Sequence, residues 1–192
     1  ALAGVYGLAF CALVAGYFWA RWYAVGVALY GVLTGAVGLW QVGPEPVIVF
    51  LAATHVAAAL MLWGDAMSAS YDGQTAWRER YHMDEPAVNR LGRSVIRAGV
   101  SLPMVLLYAL APKSAGSALA ISIAVLALLG FRGLVRMKTW GVLALGAAGA
   151  TLLAAAAVQH GPATVMPAIT GGLVAWAVLP FARPMLRFVA RG

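Results

Sequence analysis

Long apolar stretches, each close to twenty residues, alternate along the chain with short breaks that hold most of the polar residues. A helix that crosses about 30 Å of hydrocarbon needs roughly 20 residues. The stretches of this length predict about seven transmembrane helices, over residues 2–20, 22–42, 46–64, 94–111, 115–131, 139–159 and 164–182. We therefore expect an all-α, polytopic membrane helical bundle that forms a single integral membrane domain over residues 1–192.

Four of the six breaks between the stretches are informative, and they are of two kinds. Three are short and rich in Gly and Pro, at 43–46, 111–114 and 160–162, which predicts tight turns between antiparallel helices. The fourth, residues 65–93, is the one sizeable polar segment, and we expect a cytoplasmic loop there. Within it, Asp84-Glu85-Pro86 is typical of a helix start, so a helix is predicted to run from this point into the fourth span.

Composition supports a membrane solvent. The chain is 63% hydrophobic and 10% charged, whereas soluble domains carry about 25% charged residues. The first charge, Arg21, follows the first apolar run, so we interpret residues 1–20 as a spanning helix and not as a signal peptide. The single cysteine, Cys11, excludes an internal disulfide framework.

Basic residues indicate the orientation of the helices. With seven spans, twelve of the thirteen Lys and Arg residues fall on the side reached after the first span, and only Lys113 falls on the other. Basic residues in short loops mark the cytoplasmic side. We expect the N-terminus outside and the C-terminus inside a bacterial cytoplasmic membrane, and this topology accounts for the net charge of +7 without a nucleic-acid partner.

A weak internal repeat exists at an offset of 118 residues. It matches Trp22 with Trp140, Gly31 with Gly149, Gln41 with Gln159, Gly43-Pro44 with Gly161-Pro162, and Val47 with Val165. The match superposes the first three spans on the last three in the same orientation and leaves the fourth as a connector. Parallel repeats of this kind are a known transporter plan.

In topology this 3+1+3 arrangement resembles the seven-helix SWEET sugar transporters and their PQ-loop relatives. The resemblance covers the whole chain at the level of architecture only, and it implies a transport function. The Pro-Gln dipeptide of PQ-loop proteins is absent, since Gln41 and Gln159 precede a proline by three positions instead.

Few polar residues are predicted at membrane depth, where ionisable groups are costly and tend to be functional. His55, beside Thr54 in the third span, is a candidate solute contact, haem or metal ligand, or proton-relay group, or else a packing histidine bonded to a nearby carbonyl or hydroxyl. Arg97 and Ser101 lie in the fourth span near Pro103, which frees a backbone carbonyl. They could hold an anionic group in a cytoplasmic vestibule, unless Arg97 simply extends to the lipid headgroups.

Two further sets have less specific interpretations. Gln41 and Gln159, at outer helix ends, are candidates for gating a pore mouth or for capping their helices. Basic residues at helical spacing on the cytoplasmic side are expected to contact anionic lipid headgroups or an acidic partner subunit. The positions concerned are Arg90, Arg93, Arg132, Arg136, Arg183 and Arg187.

Catalytic signatures are missing from the sequence: it has no Ser/His/Asp set, no paired intramembrane carboxylates and no zinc motif. We expect no cofactor and no metal. The leading hypothesis is a small transporter or channel-like protein for a small solute. One alternative is a non-catalytic accessory or assembly subunit of a larger membrane complex, which would form a homo-oligomer or bind partner membrane subunits. The other is a lipid-modifying membrane enzyme that uses residues such as His82, Asp84 and Glu85.

Overall fold

The computed structural model describes residues 2–72, 74–112 and 116–189, except for the side chains of Pro162 and of residues 185–189. Nine α-helices, and no strand, follow one another in these ranges: α1 (Leu2–Val14), α2 (Ala20–Gln41), α3 (Pro46–Trp63), α4 (Asp65–Tyr71), α5 (Thr75–Arg80), α6 (Glu85–Leu110), α7 (Ser117–Val135), α8 (Thr139–Val158) and α9 (Val165–Val189). A 3₁₀ turn, Gly161–Thr164, precedes α9. The all-helical prediction is therefore confirmed.

Six of these helices are long and apolar enough to cross a membrane: α2, α3, α6, α7, α8 and α9. They fit an integral, multi-pass membrane protein. The first predicted span is shorter than expected, because α1 has 13 residues and rises only about 20 Å. It ends at Val14, and the chain then turns through Gly16, whose φ of +68° places it in the left-handed region that glycine adopts without strain.

The predicted helix start before the fourth span is confirmed. Asp84 is the N-cap of α6, and its side chain accepts a hydrogen bond of 2.9 Å from the backbone N–H of Ala87. Glu85 and Pro86 occupy the first turn, as this motif favours. The helix then continues without a break through Pro103 to Leu110.

Helix α6 lies at the centre of the molecule. It packs against α2 on one side and against α7 and α9 on the other, while α8 closes the second group by packing on α7 and α9. The first group is thinner. Both α1 and α3 pack on α2, and none of the eighteen residues of α3, all of them described, is buried.

The two groups meet through a very close approach of backbones. A Cβ atom added to Gly26 of α2 would lie 2.1 Å from the Ile96 carbonyl oxygen and 2.8 Å from the Cα of Gly99 on α6. Real side chains cannot come so near, so glycine at both positions permits this contact. The centre of the α2–α6 interface is therefore closed.

Two short helices in the 65–93 segment, α4 and α5, were not predicted from the sequence. They lie against the ends of α1 and α2: the Tyr71 hydroxyl donates to the Leu13 carbonyl at 2.8 Å, and Arg21 forms an ion pair with Asp72. Trp77 of α5 is buried, with its ring stacked 4.3 Å from that of Phe18. These contacts fix the segment across one end of the first group.

Candidate functional site

A cavity of about 760 Å³ opens at the end of the bundle where α6 begins, α7 ends, α8 begins and α9 nears its C-terminus. Its size lies within the range of small-molecule sites. The side chains that line it are Tyr81, Met83, Leu91, Leu134, Met137, Lys138, Thr139, Val142, Leu143, Phe181 and Pro184.

Backbone strain is concentrated in the two connections that line this cavity. His82 (φ +48°) and Met137 (φ +56°) are the two non-glycine residues of the described chain with positive φ. Tyr81 and Met83, on either side of His82, line the cavity, as does Met137 itself. A left-handed conformation costs a non-glycine residue about 1–2 kcal/mol, and such strain tends to cluster at binding sites.

The cavity is apolar with a basic edge. Aliphatic, aromatic and thioether side chains make up most of the lining, and Lys138 is the one charged residue among the lining side chains that the structure describes. Arg90, Arg136 and Arg183 each precede or follow a lining residue along the chain. The arrangement suits a ligand with an apolar body and a negative end.

Beyond the cavity, buried hydroxyl groups continue along the contact of α6 with α9. Ser94 is fully buried, and its Oγ donates a hydrogen bond of 2.5 Å to the carbonyl of Ala177. Ser101 lies seven residues after Ser94 on α6, and Thr170 lies seven residues before Ala177 on α9. Because the helices are antiparallel, these two residues have about the same height, roughly 10 Å beyond Ser94. Both are fully buried.

We call Ser94, Ser101 and Thr170 the hydroxyl seam. Its side chains are satisfied: Ser101 donates to the Ala98 carbonyl at 3.3 Å and Thr170 to the Met166 carbonyl at 2.7 Å. These three residues are the buried polar side chains of the described chain. They line up on the helix pair whose ends, through Leu91 and Phe181, also line the cavity.

Arg97, predicted as a ligand contact beside Ser101, lies on the same helix pair but points to α9. Its Nη1 donates to the Trp176 carbonyl at 3.1 Å, and its guanidinium lies 4.6 Å from the centroid of the Trp176 ring. Cation–π contacts of this kind stabilise a partly desolvated arginine. Arg97 is not among the residues that line the cavity.

His55 lies in a different place, halfway along α3. Its Nδ1 bonds to the Leu51 carbonyl at 2.7 Å and its Nε2 to the Tyr6 hydroxyl at 2.8 Å. Because a carbonyl only accepts, Nδ1 carries the proton and Nε2 accepts from Tyr6. The ring rests on Gly31 of α2, where an added Cβ would lie 1.9 Å from it. Thr54 is exposed and donates to the Phe50 and Leu51 carbonyls.

The structure does not bring His55 and Arg97 together. His55 belongs to the first group of helices and Arg97 faces the second. Gln41, exposed, ends α2, and Gln159, half-buried, follows α8 at the end opposite the cavity. The carbonyl of Gln159 accepts a hydrogen bond of 3.0 Å from Thr164.

Most of the basic positions predicted to face the cytoplasm lie around the same end of the bundle as the cavity. Arg90 is half-buried. Four of the other basic positions are exposed, namely Arg93, Arg132, Arg136 and Arg183. Arg93 donates to the Asn89 carbonyl within α6 at 3.2 Å. The side chain of Arg187 lies outside the described residues, as do Lys113 and Arg191.

Other candidate chemistry is sparse. Within the described residues, no three His, Cys, Asp or Glu side chains come together in a way that could hold a metal ion. His82 and Asp84 are exposed, Asp84 caps α6, and Glu85 pairs with Arg78 at 3.2 Å.

Sequence reasoning missed three parts of the site: Lys138 as the charged lining residue, Tyr6 as the partner of His55, and Thr170 opposite Ser101. A signal existed for Thr170, a lone hydroxyl in an apolar span. None existed for Tyr6, since its role depends on how α1 and α3 lie on α2.

No family model, curated protein sequence or solved structure matches the chain. The functional proposal therefore depends on the geometry and chemistry of its own residues.

Proposed function

We propose that the chain is a small multi-pass membrane transporter or channel-like protein, whose solute enters through the cavity at the basic end of the bundle. The observation that carries this proposal is that the hydroxyl seam lies on α6 and α9, the two helices that contribute Leu91 and Phe181 to the lining of the cavity. Polar side chains inside membrane helices are costly and tend to be functional. The chain would act in a bacterial cytoplasmic membrane.

The proposed topology has seven spans, with the N-terminus outside and the C-terminus inside. It counts α1 as the first span in addition to the six longer helices. It is supported by the distribution of basic residues, since twelve of the thirteen then lie on the side of the cavity. The short α1 is accommodated where flanking residues reach towards the headgroups or the bilayer thins locally.

Two features support a 3+1+3 repeat. The α2–α3 and α8–α9 connections both turn through a left-handed glycine, Gly43 (φ +97°) and Gly161 (φ +72°). In each triplet the middle helix, α2 or α8, packs on the two others. The connector α6 breaks the symmetry, because it packs on the middle helix of the first triplet and on the outer helices of the second.

The proposed path runs between α6 and α9, within the second group. A path between the two groups would have to part α2 from α6, where Gly26 and Gly99 are in backbone contact. Helices α6 and α9 instead contain internal prolines, Pro103 and Pro180, and prolines in membrane helices free backbone carbonyls and permit bending. These features favour α9 as the helix that moves.

Labelling of cysteines tests the entrance of this path. In a Cys11→Ser background, Ser94→Cys places a thiol at the cavity end of the seam and Ser122→Cys places one on the exposed surface of α7. We expect a membrane-impermeant, water-soluble thiol reagent added on the basic side to modify Ser94→Cys and to leave Ser122→Cys unmodified, because the proposed path gives only the former access to water. Filling the cavity with Leu143→Trp should slow the modification.

Two outcomes would contradict the proposal. One is the failure of Ser94→Cys to react while Arg136→Cys, an exposed residue beside the cavity, reacts fully. The other is equal reactivity of Ser94→Cys and Ser122→Cys, which would show that labelling does not report a path.

A second function, as an accessory or assembly subunit of a larger membrane complex, is favoured by α3. This helix packs only on α2 among the long helices, and it exposes large side chains such as Phe50 (71%) and Met61 (76%). Purification of the native complex in mild detergent, followed by its mass, tests this function. A partner chain or a second copy is expected, and a mass of one chain plus detergent would contradict it.

A further inference from the structure

We propose that the occupant of the cavity is an anionic phospholipid of the surrounding membrane, with an acyl chain against the apolar lining and its phosphate beside Lys138. This inference goes beyond the proposed function, since it concerns the ligand of the cavity and holds whether or not a solute passes along the hydroxyl seam. Three properties of the cavity support it: its lining, its charge and its position.

The lining suits an acyl chain. Among the lining side chains, Leu91, Leu134 and Val142 are buried, Phe181 is half-buried and Leu143 is 57% exposed. Burying a methylene group of a ligand against such surfaces gains about 0.8 kcal/mol. A soluble anion without an apolar part would not bury this lining when it binds.

The charge of the cavity selects a negative headgroup. Lys138 contributes an ammonium group to the lining, and no lining side chain that the structure describes is acidic. Three acidic residues lie within two positions of a lining residue along the chain: Asp84 caps α6, Glu85 pairs with Arg78, and Glu79 is exposed to the surroundings outside the lining. Basic pockets at the cytoplasmic ends of membrane helices bind anionic lipid headgroups.

The position of the cavity matches the level of the headgroups. Trp140, which is 47% exposed, directly follows Thr139 of the lining. Tyr81, which is 44% exposed and lies in the connection between α5 and α6, lines the cavity itself. Trp and Tyr are enriched where membrane meets water. A lipid can therefore enter from the bilayer with its phosphate at the depth of Lys138, whereas a soluble anion would make no contact with the apolar side chains of the lining.

The test is lipid binding to the purified full-length chain in mild detergent, measured by native mass spectrometry. Phosphatidylglycerol is titrated against phosphatidylcholine with the same acyl chains. We expect a preference for phosphatidylglycerol that Lys138→Gln weakens about fivefold, the value of one surface charge. The comparison variant is Arg132→Gln, which removes an exposed charge near the same end of α7 but outside the lining, and which measures how much a headgroup contact on the open surface contributes.

Leu143→Trp separates the apolar contribution from the charge. It fills the edge of the cavity at an exposed position, so the chain is expected to fold, and it should reduce binding of both lipids. Thermal unfolding of each variant confirms the fold before binding is compared.

Three results would overturn the inference. They are equal binding of both lipids to the unaltered chain, an equal effect of Lys138→Gln and Arg132→Gln, and competition by glycerol phosphate at the concentration at which the lipid binds, which would identify a soluble phosphate as the ligand. Lipid binding without labelling of Ser94→Cys would overturn the transport proposal and support the lipid site, so the two failures are distinguishable.

Discussion

At the level of single residues, a proline of α9 explains the hydrogen bond that the arginine inside the apolar part of α6 makes. Pro180 has no N–H, so the carbonyl of Trp176, four residues earlier, lacks its usual helical donor. Arg97 supplies one, at 3.1 Å, and stacks on the Trp176 ring. The sequence predicted a freed carbonyl near Arg97 from Pro103 on its own helix, whereas the carbonyl that Arg97 contacts is on α9.

We predict that Arg97→Met lowers the free energy of unfolding by about 1–2 kcal/mol, because the Trp176 carbonyl loses its donor. In a Pro180→Ala background the backbone N–H at position 180 is restored, and the same replacement should cost distinctly less. A double-mutant cycle measured by unfolding in detergent–SDS mixtures checks this. Strictly additive costs would contradict the explanation.

His55 and Gly31 form a second residue-scale unit. The imidazole occupies the space that a side chain at position 31 would need, so we predict that Gly31→Ala lowers the free energy of unfolding by about 1–3 kcal/mol through overpacking. Gly146→Ala is the control, since an added Cβ there meets nothing within 4 Å. Equal stability of the two variants in thermal unfolding would show that the ring is free to move aside.

At the scale of elements, the boundaries that local chemistry specifies could be predicted. The Asp84 cap, the proline that begins α3 and the Gly-Pro turns after α2 and α8 all fall where the sequence placed them. The early end of α1 could not be predicted, because residues 15–20 are as apolar as the helix before them. Helices α4 and α5 were missed because each has seven residues or fewer, and short helices depend on tertiary packing for their stability.

That dependence gives a prediction for α5. Trp77→Ala removes the ring that stacks on Phe18 and faces Trp22, and it should cost about 3 kcal/mol. The amide groups of residues 75–80 should also exchange hydrogen faster. Trp40→Ala is the matched control, because Trp40 is 85% exposed. Unchanged exchange in α5 would mean that the ion pair of Arg21 with Asp72 holds the segment by itself.

At the scale of the whole molecule, the chain consists of a four-helix group, α6–α9, and a thinner group attached through α2. Composition and apolar length were enough to predict a helical membrane bundle. The site was not predictable to the same degree, because the cavity depends on how four helix ends meet and on the strained connections at His82 and Met137. Sequence reasoning selected Ser101 and Arg97 on α6, one of the two helices of the proposed path, and it also named His55 on α3 as a candidate solute contact.

The proposed topology gives a whole-molecule prediction. With Cys11 replaced by Ser, Glu45→Cys should react with an impermeant thiol reagent outside intact cells, while Arg136→Cys should react only after the cells are opened. Both residues are exposed, so neither result is limited by burial. Reaction of both variants in intact cells, or the reverse order, would rule out the seven-span orientation.

A solute path along α6 and α9 is tested most directly by the reactivity of Ser101→Cys in the Cys11→Ser background. Position 101 is fully buried and lies about 10 Å deeper than Ser94, so a water-soluble reagent reaches it only if the seam opens. We predict that it is modified in membranes at a measurable rate, while His55→Cys, outside the path, is not. Modification of His55→Cys with no reaction at Ser101→Cys would contradict a solute path along α6 and α9.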